Sequence, residues 1–246
     1  MDRKKQIFLL ILLMLVLFIL NYRFLDAGVK AFFEDREYVK VERVIDGDTI
    51  VIDTQGGHEN LSRGGESVRL LGINSPERGE VGFEEAKEFL EMVILGKEVE
   101  LEFGIPKYDK YNRLLAYVYR DNANVNLEMV EEGFANYYFY SDGEKYSQDL
   151  IDAWERCIER NVNLCKKSLD KCSRCISIDS KNIVNNCGFD CDVGGWIMHS
   201  EGRKKFVFDE QILNPGEKAN FEIDLSDTGN TIFLRDGKGK LVEWHD

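Results

Sequence analysis

Three short segments hold the residues whose types and spacing suit chemistry: Val44-Ile45-Asp46-Gly47-Asp48-Thr49, Arg69-Leu70-Leu71-Gly72-Ile73-Asn74-Ser75-Pro76-Glu77 and Asp109-Lys110-Tyr111-Asn112-Arg113-Leu114. Each sets acids, an amide or a guanidinium at the edge of an apolar stretch. Asp48 is a hard oxygen donor of the kind that ligates Ca²⁺ or Mg²⁺, and Asn74 offers an amide oxygen. Glu77 follows the rigid Ser75-Pro76 step and offers a carboxylate to the same cavity. Arg69 and Arg113 are flanked by apolar residues, and guanidinium is always charged and grips oxyanions bidentately. Two acids, an amide and two arginines are a set for holding a divalent cation and cleaving a phosphodiester. That reaction needs an activated water, charge neutralisation and in-line positioning. Each part alone has an ordinary reading: Asp46-Gly47 is hairpin-turn chemistry, and either arginine could serve a structural salt bridge.

The elements that must position these groups are legible in the pattern. Tyr38–Val44, Thr49–Ile52, Val68–Ile73, Val99–Phe103 and Leu114–Tyr119 read as strands. Phe83–Leu95 has helical apolar spacing and is closed by Gly96. Two more helices are predicted, over Val125–Gly133 and Leu150–Arg160, and Thr54–Gly65 reads as a loop. Five strands interleaved with helices imply a small closed barrel with helical additions, mainly β with α. After Cys165 helical periodicity disappears, and short strands alternate with turns at Asn214-Pro215-Gly216 and Asp236-Gly237-Lys238-Gly239. That texture predicts a second, all-β sandwich domain. The boundary falls near Ser168–Lys171, giving segments 38–168 and 172–246.

The remaining features bear on location. Net charge is −13, which disfavours tight, non-specific duplex binding but allows local capture of a flexible strand. Asp2-Arg3-Lys4-Lys5 precedes an uninterrupted apolar run, Ile7 to Leu20. As a helix the run would span roughly 21 Å, short of the ~30 Å hydrocarbon core, so a membrane anchor and a cleaved signal peptide over 1–23 compete. A stalk over 24–37 follows. Both readings put the rest of the chain outside the cytoplasm, on the membrane or secreted. All six cysteines, Cys157, Cys165, Cys172, Cys175, Cys187 and Cys191, lie in one region. In an oxidising compartment they form disulfides, with Cys187 and Cys191 inviting local pairing; the alternative is structural zinc. His58, His199 and His245 are scattered and form no zinc-hydrolase motif, and no Gly-rich nucleotide loop is present.

Taken in order, the three segments, with Val125-Asn126 and Val130-Glu131-Glu132-Gly133-Phe134-Ala135, resemble the staphylococcal nuclease (thermonuclease) family over about Val39 to Lys167. The resemblance implies an OB-fold five-stranded barrel and Ca²⁺-dependent hydrolysis of DNA and RNA. By position it implies Asp48, Asn74 and the Ser75 carbonyl as cation ligands, Glu77 as the catalytic carboxylate, and Arg69 and Arg113 on the scissile phosphate. Lys110 and Tyr111 match positions on a neighbouring phosphate, and Tyr137, Tyr138 and Tyr140 are candidates to stack on a base. At Asn74 the best-studied members carry aspartate, so the cation site is expected to be one charge lighter. Segments from Ile183-Val184-Asn185-Asn186 to Gly239-Lys240-Leu241-Val242 resemble a lamin-tail domain, an immunoglobulin-like sandwich that would bind or position, with no partner identified. Trp196 belongs to its core. The competing function is a nucleic-acid-binding or surface-attachment module without catalysis.

Overall fold

Period-two alternation buries Val39 and Val41 on one face of β1 (Arg36–Asp46), and a bulge between Val41 and Arg43 restores Val44 to that face. The computed structural model describes residues 14, 36–53, 65–139, 144–202, 204–223 and 231–245. The apolar leader over 1–23, nearly all of the stalk, the loop after Asp53 and Tyr140 lie outside the described residues. No helix among the described residues is long and apolar enough to cross a membrane.

β1 pairs antiparallel with β2 (Thr49–Asp53), and β2 with β3 (Glu66–Leu70). The strand expected over Val68–Ile73 is in fact two. Gly72 takes a positive φ of 73°, which turns the chain between Leu70 and β4 (Ile73–Asn74). That turn folds Asn74 back toward Arg69. α1 (Phe83–Ile94) follows and buries Ala86, Leu90, Val93 and Ile94. β5 (Glu98–Tyr108) returns along β1, and β6 (Leu114–Arg120) pairs antiparallel with β5. A parallel pairing of β6 with β3 closes the barrel of β1, β2, β3, β5 and β6.

β7 (Ala123–Asn124) leads into α2 (Val125–Glu131), where the Asn124 side chain accepts from the backbone N–H of Asn126 at 2.9 Å and Leu127 at 3.2 Å. The buried Asn126 amide ties two parts of the barrel: its Oδ1 accepts from Val118 N at 2.9 Å, and its Nδ2 donates to Leu71 O at 2.7 Å. β8 (Asn136–Tyr137) pairs with β4, and α3 (Ser147–Arg160) packs Leu150, Ala153, Trp154 and Cys157 inward at helical spacing.

The C-terminal part forms small antiparallel sheets. β9 (Ile176–Asp179) and β10 (Asn182–Asn185) share one sheet with β15 (Lys218–Asn220), and β11 (Cys191–Asp192) pairs with β14 (Ile212–Leu213). A four-stranded sheet runs in the order β13 (Lys205–Val207), β12 (Ile197–Ser200), β16 (Ile232–Arg235), β17 (Leu241–His245). Trp196 is buried in this part's own core with Phe208 and Met198. The four-stranded sheet also packs on the helical side of the barrel. Phe233 meets Trp154 edge-on at 5.2 Å, and the Tyr137 hydroxyl bonds Thr231 Oγ1 at 3.1 Å. Tyr38–Asp246 therefore forms one unit with a shared core.

The cysteines pair as Cys157–Cys165, Cys172–Cys191 and Cys175–Cys187, and no described cysteine is free. This corrects the expected Cys187–Cys191 link and replaces the zinc alternative. The two sulfurs are 3.4 Å apart, but each is claimed by a partner from the Cys172–Cys175 turn, which draws that turn onto the sheets.

Candidate active site

The β1–β2 turn, β3 and the β3–β4 turn bring Asp48, Arg69, Asn74 and Ser75 together below the surface. Asp48 is fully buried and Arg69 is 1% exposed. Arg69 Nη2 lies 3.1 Å from Asp48 Oδ2 and donates to Ile73 O at 2.7 Å and to Asn74 Oδ1 at 3.4 Å. Its Nη1 donates to Leu70 O, while its Nε has no hydrogen-bond partner among the described residues. Asp48 Oδ2 also accepts from Ser75 N at 2.8 Å, and Oδ1 accepts from the Thr49 hydroxyl at 3.0 Å. Gly47 is required here: a Cβ on it would fall 2.7 Å from Ser75 Cβ and 2.8 Å from Ala86 Cβ. Glycine alone lets the β1–β2 turn sit against the Asn74-Ser75 segment and α1.

Arg113 is held from its own loop. Asp109 Oδ2 accepts from Arg113 Nε at 2.7 Å and lies 2.7 Å from Nη2, and Asp109 Oδ1 accepts from Arg113 N at 2.9 Å. Burial pushes the Asp109 carboxyl up, but these bonds and the one from Tyr111 N outweigh it and hold it below its usual range. Each arginine thus makes the ion pair that its ordinary reading requires, and each also lines a cavity. Arg69, Arg113, Lys110, Tyr111 and Tyr138 border one cavity of about 820 Å³. Tyr137 is buried against Trp154 and Phe233 and serves the core instead.

Glu77 lines a neighbouring cavity of about 210 Å³ together with Asn74 and Ser75. Its loop is held by Glu80, whose Oε2 accepts from Glu77 N at 2.9 Å and whose Oε1 lies 3.2 Å from Lys205 Nζ. The turn after β12 stands between the two cavities. Ser200 borders one and Gly202 the other, and Glu201 O accepts from Asn74 Nδ2 at 3.0 Å. Asn74 therefore uses both ends of its amide, the oxygen toward Arg69 and the nitrogen toward Glu201.

A family model described as staphylococcal nuclease homologue matches residues 67–174. The thermonuclease of Staphylococcus hyicus is 31% identical, over 51% of this chain and 73% of its own. The thermonuclease of Staphylococcus intermedius is 32% identical, over 52% and 75% respectively. The chain belongs to the staphylococcal nuclease family. Endonuclease YncB of Bacillus subtilis is a further relative, 36% identical over 52% of this chain and 68% of its own. Thermonucleases and endonucleases hydrolyse phosphodiester bonds. Of the residues around the site, Asp46 and Asp48 lie before the family match, and Glu201 and Lys205 lie after it, on the C-terminal part.

Four acids near the site escaped the sequence reading. Glu80 and Asp109 act through the carboxylates just described, and Glu201 meets Asn74 through its backbone carbonyl. Asp46, read as a turn residue, accepts from Asp48 N at 3.1 Å. Burial, and then the Asp48 carboxylate, raise its carboxyl from 3.8 to about 6. The folded state thus holds that proton more tightly than the unfolded chain, so ionising Asp46 costs stability. The cost is absent below about pH 4 and fully present above about pH 6. Asp46→Asn should therefore stabilise the cation-free protein near neutral pH by on the order of 2 kcal/mol. Thermal melts with chelator check this: the gain should vanish as the pH falls below about 4.

Proposed function

We propose that this staphylococcal nuclease family member is a Ca²⁺-dependent endonuclease acting on flexible or single-stranded DNA or RNA outside the cytoplasm. The observation that carries the reading is Arg69: it lines the larger cavity with Arg113 while its guanidinium reaches both Asp48 and Asn74, and Asn74 lines the neighbouring cavity with Glu77. The oxygen-only donor set of Asp48, Asn74 and the Ser75 carbonyl fits a hard cation, and the mutual repulsion of the Asp46 and Asp48 carboxylates is negative charge that a cation would offset. When bound, calcium would supply charge neutralisation at the phosphate and lower the pKa of a water. The chain's own groups would do the rest. Arg69 and Arg113 would hold the phosphate oxygens and stabilise the charge that develops on them. Glu77 would orient and deprotonate the attacking water. Lys110 and Tyr111 would contact the next phosphate, and Tyr138 would stack on a base.

The export reading rests on the three disulfides, which persist in oxidising compartments, and on the apolar run from Ile7 to Leu20. The immunoglobulin-like, lamin-tail reading of 172–246 is kept as part of the proposal and rests on its sequence motifs. A second function, binding without cleavage, is favoured by one observation: the Ser200–Gly202 turn stands between Glu77 and the two arginines. Turnover decides between them. The full chain should cut single-stranded DNA or RNA, and Arg113→Ala should lower kcat by about 10²–10³-fold. Strand binding with no cutting by the unmodified chain would select the second reading.

A further inference from the structure

The C-terminal strands, with the 166–171 segment that leads into them, form a positive surface beside the site. The smaller cavity holding Glu77 is walled on its far side by His199, Lys205 and Arg235. Lys205 is paired with Glu80. Arg235 is not paired with any carboxylate among the described residues. It is only 5% exposed, and its guanidinium donates to neutral acceptors: Leu164 O, Gly239 O at 3.3 Å and Asn136 Oδ1 at 3.2 Å. Burial draws it down to about 10, despite the upward pull of Asp236 and Glu80. The same burial, with Arg235 beside it, lowers His199 to about 4, so the imidazole is neutral at physiological pH. A buried guanidinium whose hydrogen bonds go only to neutral carbonyl oxygens, with its nearest carboxylates out of direct contact, is a costly arrangement that an entering anion would relieve.

The cavity continues outward. Gly237, an exposed residue with no side chain to block passage, borders both it and a groove of about 870 Å³. Lys166, Lys167, Lys171, Lys238 and Lys240 line that groove. Its aspartates are turned to the backbone: Asp170 accepts from Cys172 N at 2.8 Å, Asp192 from Gly194 N at 2.9 Å, and Asp236 from the N–H groups of Lys238 and Lys240, both at 2.9 Å. Among the described residues, none of the five lysines makes an ion pair. On a chain of net charge −13, this groove is a local reversal of sign.

We propose that the C-terminal part, together with the 166–171 segment that leads into it, carries a second phosphate-binding site, which takes the sugar-phosphate backbone of the nucleic-acid strand from Arg235, in the cavity that Glu77 lines, across Gly237 and onto the lysines. The proposal rests on the nuclease reading above and adds to it a path for the strand beyond the scissile phosphate. Its ligand is a polyanion with regularly spaced phosphates, because the positive groups are strung along a groove rather than gathered at one point.

The test uses the full chain with Lys166, Lys238 and Lys240 replaced together by alanine; Lys166 and Lys238 are exposed and Lys240 partly so, and the three side chains hold nothing else in place. Binding of a long single-stranded oligonucleotide is read by fluorescence anisotropy across a salt series, in a Glu77→Gln background that prevents cutting. The proposal predicts at least a tenfold loss of affinity at low salt. It also predicts a log K against log salt slope shallower by about 0.7 for each lysine removed. In the cutting background, the loss should fall on KM for the long strand, with no comparable loss on a dinucleotide too short to reach the lysines. Arg235→Gln, if it folds, should weaken binding in the same assay. Unchanged affinity and slope in the triple variant would overturn the proposal even where the chain cuts nucleic acid. The binding arm also decides it where the chain does not cut, so this failure is distinct from failure of the nuclease reading.

Discussion

Glu77→Gln should lower kcat for strand cleavage by about 10²–10⁴-fold, the range of a lost general base. The melting temperature should barely move. Glutamine has the same shape, and what holds this loop is the Glu77 backbone N–H on Glu80 Oε2, which the substitution leaves intact. Glu80 itself is suited to that task. Burial pushes its carboxyl up, but the Glu77 N–H and Lys205 outweigh this and keep it charged. The separation of effects matters: a large kinetic loss on an unaltered fold assigns Glu77 to the reaction. A loss smaller than tenfold would place the base elsewhere.

Arg69→Ala should have the largest combined effect, because the proposed reaction and the fold both draw on Arg69. Its removal takes away the guanidinium that lies 3.1 Å from the fully buried Asp48 carboxylate. Breaking a buried pair from one side costs about 3–5 kcal/mol. It also strips donors from Leu70 O, Ile73 O and Asn74 Oδ1, the acceptors that shape the β3–β4 turn. The double variant Arg69→Ala/Asp48→Asn should recover part of that stability, since the buried negative charge goes with the guanidinium that faced it, while cleavage stays abolished. Arg69→Lys should rescue neither, because one ammonium cannot span four acceptors in the fork geometry of a guanidinium. Chemical denaturation of the three variants, read beside their cleavage rates, separates the two roles. Full activity in Arg69→Ala would refute its place on the phosphate.

How much of this was legible beforehand follows from where each signal resides. Asp48, Arg69, Asn74, Glu77 and Arg113 each lie in a segment that carries its own strand, turn and apolar flank, so their neighbourhood could be read locally. The break of the third strand at Gly72 was hidden, because an apolar run does not announce a positive φ. The crosswise disulfides were hidden for a combinatorial reason: six cysteines allow 15 pairings and sequence spacing favours the wrong neighbour. Asn74 shows the same limit most plainly. From sequence it is a missing charge beside a cation. In the fold its Nδ2 donates to Glu201 O from 127 positions away, a task no carboxylate can perform. Asp46 was passed over because its turn role explained it fully, and only burial beside Asp48 exposed the second role.

The central claim is that Asp48, Arg69, Glu77 and Arg113 form a working phosphodiesterase site whose acids need a hard cation. The most direct measurement is cleavage of single-stranded DNA by the full chain, with calcium and with chelator. The account predicts cutting that appears with calcium, is lost with chelator and returns when calcium is restored. Cutting that persists unchanged in chelator would contradict the cation site. Failure to cut either DNA or RNA with calcium present would contradict the site as a whole.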